Sequence, residues 1–263
     1  MPFDKIEIEQ RGDVGVIRLN VPESLNAISG EMAEEMDAAI DQLTPRSRAL
    51  VLTANGRAFC AGADLTDMGG VVADAGAGRD AGALLDSHIN PLMTKLSALP
   101  IPWISAVNGP AVGVGCSIAL GADLIVAAES AYFLQAFTRI GLVPDGGSTW
   151  LLTRAIGRVR AMEMMLLGER IAAAQALDWG LINRVVPDAE LQAVALALAD
   201  GLAAGPTKVL GLVRKLSWRA ADGVWSDVLA AERLAQREAG QTDDMAEGVR
   251  AFLEKRPAKF RGA

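Results

Sequence analysis

Apolar and polar residues alternate over residues 3–10 and again over 14–20, on either side of Gly12-Asp13, and this period of two predicts a hairpin. From Ser29 the period changes. Met32, Met36, Ile40 and Leu43 recur three or four apart behind a serine suited to capping, which predicts a helix, and residues 49–53 follow as a short apolar strand. The exchange of periods repeats with a helix carrying Leu85, Ile89, Leu92, Met93 and Leu96, a strand over 103–107, a helix from about Gly113 and a strand over 123–128. Strands alternating with helices imply an α/β core in layers. Beyond about Pro187 the strand signals stop, and helical patterns run over 191–204, 206–221, 224–239 and 243–255. The expected organisation is therefore a core over residues 1–200 and a helical region over 201–263. Residues 68–82 are mostly Gly, Ala, Val and Asp, a composition expected of a mobile loop.

Composition narrows the class. With 51% hydrophobic residues but only 5% aromatic, the core of this 263-residue chain must be built from aliphatic side chains packed closely. Lys and Arg number 25 against 32 Asp and Glu, a net charge of −7 that gives no footprint for nucleic acid or an anionic membrane. Cys60 and Cys116 match no metal or redox spacing and point to free thiols in a reducing compartment. The first residues lack an apolar signal core, and the most apolar stretch, 110–128, is broken by three glycines and Asp123. A cytoplasmic protein with no membrane span is expected.

Three glycine-containing segments flank the expected strands: Ala58-Phe59-Cys60-Ala61-Gly62-Ala63-Asp64-Leu65, Asn108-Gly109-Pro110-Ala111-Val112-Gly113-Val114-Gly115-Cys116-Ser117, and Gly141-Leu142-Val143-Pro144-Asp145-Gly146-Gly147-Ser148-Thr149-Trp150. Each can present bare backbone to a ligand, and each can equally serve only as a tight turn. The second runs into a helix, whose unpaired N–H groups could face a developing negative charge as an oxyanion hole requires. Nucleotide motifs fail on spacing, since Ile118 stands where a dinucleotide fingerprint has its third glycine and no lysine follows as in a phosphate loop. Gly115-Cys116-Ser117 comes nearer to a nucleophile elbow, yet the only histidine, His88, precedes the serine, whereas that fold has it last. His88 reads as a helix residue without catalytic duty.

In this order and spacing the three segments resemble the enoyl-CoA hydratase/isomerase, or crotonase, family. The likeness covers nearly the whole chain and includes Pro22-Glu23-Ser24-Leu25-Asn26-Ala27, Leu166-Leu167-Gly168-Glu169-Arg170-Ile171 and Ala176-Leu177-Asp178-Trp179-Gly180-Leu181-Ile182. The resemblance implies a crotonase-like spiral of ββα units, a C-terminal helical trimerisation region, and homotrimers that can pair into hexamers. It implies an acyl-CoA thioester as substrate, with coenzyme A part of that substrate and no separate metal or redox cofactor. Carried over by position, it places the oxyanion-hole amides at Ala63 and Val114, each such donor contributing about 2.7–4 kcal/mol. It places CoA contacts at Ser24, Leu25, Ala27, Ala61, Ala63, Asp64 and Leu65. The basic tail residues Arg250, Lys255, Arg256, Lys259 and Arg261 either meet CoA phosphates or form a solvated helix end.

Hydratases of this family use two glutamates, and this chain has Ser117 and Phe137 at those places. Neither is a useful base near neutral pH, and loss of a positioned acid–base group typically costs roughly 10²–10⁴-fold. The remaining carboxylate is Asp145, and its surroundings resemble the enoyl-CoA isomerases of the phenylacetate-degradation branch. One carboxylate suffices for an allylic shift, because it can take a proton from one carbon and return it two carbons away. The expected activity is enoyl-CoA isomerisation, with Phe137 and Ser117 lining the acyl pocket. An unusual enoyl-CoA hydratase and a CoA-ester binder without turnover are the alternatives, and Asp145 as a helix cap is the alternative to its catalytic role.

Overall fold

The structure is a computed structural model that describes residues 3–64 and 80–263. Strands β1 (Ile6–Arg11) and β2 (Val14–Leu19) form the expected hairpin, antiparallel with Arg11 opposite Val14. Helix α1 (Gly30–Leu43) starts where Ser29 accepts a hydrogen bond from the Met32 amide at 3.1 Å, and it buries Met32, Met36, Ile40 and Leu43. Strands β3 (Ala49–Ala54) and β4 (Trp103–Val107) are buried at every position, which is why their sequence is a continuous apolar run rather than an alternation.

The predicted helix through Leu85 and Leu96 is divided. Leu85–Ile89 is a wide π turn that passes into α2 (Asn90–Ser97). Pro91 has no N–H to return to the preceding turn, so the chain relaxes there into the wider spacing. Of the expected mobile loop over 68–82, residues 68–79 lie outside the described residues, as does Leu65.

After β4 come β5 (Ala111–Val112) and α3 (Val114–Leu120), then β6 (Leu124–Ala128), β7 (Tyr132–Leu134) and α4 (Ser148–Ala155), two successive ββα turns of a spiral. Helix α5 (Gly157–Leu167), β8 (Ile171–Ala172), α6 (Ala173–Asp178) and β9 (Arg184–Val186) complete the strand-bearing part. The six-stranded sheet has the order β1-β2-β3-β4-β6-β9 and is parallel from β2 onward, whereas β5-β7-β8 make a small second sheet. A bridge between Cys60 and Ala111 ties the segment after β3 to that second sheet.

Helix α7 (Leu191–Ala203) buries Leu191, Ala195 and Ala199 against the large sheet. Beyond it lie α8 (Thr207–Ala220), α9 (Trp225–Ala239) and α10 (Asp243–Leu253), all within the predicted helical spans. Among the described residues no single helix is long and apolar enough to cross a membrane. Arg48 draws the end of the chain back to the core, donating to Thr207 Oγ1 at 2.7 Å and to the Gly205 and Phe260 carbonyls.

Candidate active site

Two chain segments meet at Gly62 and Gly113. A methyl group on Gly62 would lie 3.3 Å from the Val112 carbonyl oxygen and 4.0 Å from the Gly113 Cα, so the two backbones approach closely and a side chain would crowd that carbonyl. Gly113 has φ +53° and ψ −127°, a conformation that suits glycine, and it precedes the first residue of α3. The residue after each of these glycines carries the predicted donor. Val114 opens a helix, so its N–H has no partner one turn back.

Ala63 is held by a parallel bridge to Ile28 in which Ile28 N donates to Gly62 O at 2.8 Å and Asp64 N donates to Ile28 O at 2.8 Å. Those bonds use the neighbours of Ala63 and turn its own N–H away from Ile28. Among the described residues neither the Ala63 nor the Val114 N–H has a hydrogen-bond acceptor.

Asp145 lies in the turn that packs on the same helix. At Gly146, where φ is +57°, a methyl group would sit 2.9 Å from Ser117 Cβ and 3.2 Å from Val114 Cγ2. The Asp145 main-chain carbonyl accepts from Ser117 Oγ at 2.9 Å and Ser148 Oγ at 2.8 Å. The Ser117 hydroxyl, fully buried, thus ties the turn to α3 and spends its polarity on backbone. The Asp145 carboxylate differs. Its Oδ1 is buried without a hydrogen-bond partner among the described residues, and burial pushes the carboxyl up to about 6 from an ordinary 3.8. It does not cap α4, whose N-cap is Gly147 and receives no side-chain hydrogen bond. Phe137 is buried with its ring edge 3.6 Å from where a Gly113 side chain would begin, so it packs beside the residue that precedes Val114.

The predicted CoA contacts form a rim. Ser24, Leu25, Ala27, Ala61, Ala63 and Asp64 are all partly exposed, whereas Asn26, Ile28 and Gly62 between them are buried. The remaining predicted contact, Leu65, is outside the described residues. Leu25 and Asn26 both adopt left-handed backbone, with φ +55° and +56°, and the Leu25 carbonyl accepts from Ala61 N at 3.0 Å.

Asn26 lies within the family-like stretch over residues 22–27, and nothing in the sequence assigns it a role. Its side chain accepts from Val21 N at 2.8 Å and donates to the Asn55 and Ala58 carbonyls, each at 2.9 Å. The sequence signal for it was an asparagine in a short polar turn, a residue type that tolerates left-handed backbone.

Of the other candidates, His88 lies apart from these groups. His88 bonds Ser87 Oγ at 2.6 Å and Glu34 Oε1 at 3.0 Å, beside Gly30 on α1. Cys60 and Cys116 are fully buried, and burial pushes both thiols up to about 12. In the tail, Arg256 is engaged by Glu247 and Glu254, each at 2.6 Å, and Arg250, Lys259 and Arg261 share their groove with Asp243 and Asp244. That surface carries both signs of charge.

The spiral of ββα turns, with its two sheets and the close approach of Gly62 to Gly113, defines a protein of the crotonase fold. Comparison with known proteins agrees. A family model for enoyl-CoA hydratase/isomerase matches residues 9–263. The chain is 44% identical over 251 residues to 1,2-epoxyphenylacetyl-CoA isomerase of Escherichia coli K12, with 95% of each chain covered. It is 42% identical over 262 residues to a probable enoyl-CoA hydratase of Rhodobacter capsulatus, with 100% of each covered. A crystal structure of an enoyl-CoA hydratase subunit from Geobacillus kaustophilus superposes with a TM-score of 0.91 at 36% identity, covering 99% of both chains. The chain belongs to the enoyl-CoA hydratase/isomerase family and is an enzyme of that family, whose substrates are acyl-CoA thioesters.

Proposed function

We propose that this enzyme shifts the double bond of an enoyl-CoA ester, with Asp145 as the single acid/base and the Ala63 and Val114 amides as donors to the thioester oxygen. The observation that carries the reading is the Asp145 carboxyl, half-buried with its Oδ1 lacking a partner among the described residues and raised to about 6, in the turn packed on the helix that Val114 opens. With a 3-enoyl ester, the Asp145 carboxylate takes a proton from C2. The electron pair moves into the thioester, whose oxygen carries the negative charge between the two N–H groups. The protonated Asp145 then returns the proton to C4, leaving the conjugated 2-enoyl ester and restoring the carboxylate. No atom is gained or lost.

The same enolate chemistry suits the rearrangement of a ring-epoxide acyl-CoA, and the E. coli relative named above supports that variant. Hydration is disfavoured because Ser117 and Phe137 stand where the resemblance expects the two glutamates, and the Ser117 hydroxyl is already bonded to the Asp145 carbonyl.

The test is mass spectrometry after incubation in D₂O with trans-2-, cis-3- and trans-3-enoyl-CoA. Shifted double bonds with deuterium incorporation and no added water are expected. Gain of one water would replace the isomerase reading with a hydratase, and CoA-ester binding with neither product would leave a binder. In Asp145→Asn, isomerisation should fall by roughly 10²–10⁴-fold while CoA-ester affinity stays within a few-fold; unchanged turnover would remove Asp145 from the mechanism.

A further inference from the structure

We infer that Asn26 is a positioning residue that sets the direction of the Ala63 N–H, and through it the polarisation of the thioester carbonyl. The inference rests on the reading of Ala63 and Val114 as donors to that oxygen. Ala63 itself has no side chain that could anchor it. Its orientation comes from the neighbouring segment: Ala61 N donates to Leu25 O at 3.0 Å, Ile28 N to Gly62 O at 2.8 Å, and Asp64 N to Ile28 O at 2.8 Å. Residues 25–28 are thus a template along which 61–64 are laid.

That template is not regular structure. It follows a short 3₁₀ turn (Pro22–Ser24) and contains two consecutive left-handed residues, Leu25 and Asn26, a sequence of dihedrals that residues other than glycine seldom adopt. Backbone bonds close the turn on itself, Leu25 N to Pro22 O at 3.1 Å and Asn26 N to Val21 O at 2.9 Å, and one fully buried side chain ties it to the neighbouring segment. Asn26 Oδ1 accepts from Val21 N at 2.8 Å, which fixes the entry of the turn, and Nδ2 donates to the Asn55 and Ala58 carbonyls at 2.9 Å, which fixes the turn to the chain leading into 61–64. The same amide therefore ties the segment that leads to Ile28 to the segment that leads to Ala63. Loosening it lets the two segments slide, and a donor misplaced by about 1 Å can cost on the order of 100-fold in rate.

Two variants separate the side chain from the backbone it sits on. Asn26→Gly keeps the left-handed conformation accessible and deletes all three bonds. Asn26→Asp keeps the acceptor for Val21 N and removes both donors. The probe is 4-(dimethylamino)cinnamoyl-CoA, an enoyl thioester whose absorption moves to the red when its carbonyl oxygen receives hydrogen bonds. The wild-type protein should shift it, and Asp145→Asn should shift it equally.

Folded Asn26→Gly, checked by circular dichroism, should lose most of the red shift of the bound probe and lose roughly 10–100-fold in kcat at saturating substrate, a readout that any weakening of CoA binding does not move. Asn26→Asp should behave alike. If the wild type gives no shift on binding the probe, the reading of Ala63 and Val114 falls and not merely this inference. If the wild type shifts the probe and either folded variant shifts it fully with wild-type kcat, Asn26 is structural only. Should one variant fail to fold, the other decides on the same two readings.

Discussion

Asp145 trades stability for chemistry. Its carboxyl is raised from 3.8 to about 6 by burial, so between those values the folded chain holds a proton that the unfolded chain has released. Stability from this group therefore falls as pH rises from about 4 to about 6 and stays lowered above, where the side chain is ionised. The ionised form is the one that abstracts a proton. On the acid side, kcat/KM for isomerisation should thus decline with a midpoint near pH 6, and Asp145→Asn should melt higher than wild type at neutral pH while the two converge near pH 4. A flat pH–rate profile through that range, or a lower melting temperature of the variant at neutral pH, would contradict the assignment. The carboxyl was legible in the sequence because few other acid–base candidates lay in the three glycine segments. Its partnerless burial was not, since that depends on Gly146 packing into Ser117 and Val114. The two amides are backbone groups and leave no mark of their own; the family resemblance alone assigns them to Ala63 and Val114.

Legibility at the scale of elements followed length. Helices α1 and α7 to α10 each repeat an apolar stripe over several turns, and the structure places them within a few residues of the prediction. Strands β5, β7 and β8 are two or three residues long, too short to show an alternation, so the second sheet went unread. The docking of α8 also escaped the sequence, because it depends on a charge inside an apolar contact. Arg214, 5% exposed, donates from Nε to Asp123 Oδ2 at 2.5 Å and from its other nitrogens to the Leu99 and Leu96 carbonyls. Asp123 also receives the Trp103 amide at 2.8 Å, so one carboxylate joins α8 to the start of β4. Desolvation raises the Asp123 carboxyl despite the attraction of Arg214. Arg214→Met keeps the volume but leaves that carboxylate and two carbonyls without their partner, at a cost of about 3–5 kcal/mol. Denaturant melts should show this loss, and pairing it with Asp123→Asn should recover part of it; additive losses would mean that the two side chains act independently.

At the scale of the molecule, the last two helices are unfinished surfaces. Trp225 is 77% exposed, Phe252 82% and Leu253 74%, with Leu229, Leu234 and Val249 also open to solvent. Trp225 and Leu229 are four apart on α9, and Val249, Phe252 and Leu253 share a face of α10 while Ala251 turns inward. Large apolar side chains grouped in this way mark a contact surface rather than the scattered exposure of an ordinary monomer. We propose that further copies of the chain cover them, as a homotrimer or a pair of trimers, which is the assembly the family resemblance implies. Light scattering after size exclusion should give three or six times the 27.5 kDa of the chain. Replacing Trp225 and Phe252 together by glutamate buries two charges in any such contact, so the variant should run as a smaller species while keeping its circular dichroism. A wild-type mass of 27.5 kDa would remove the proposal, and a variant that assembles like wild type would move the contact to another face.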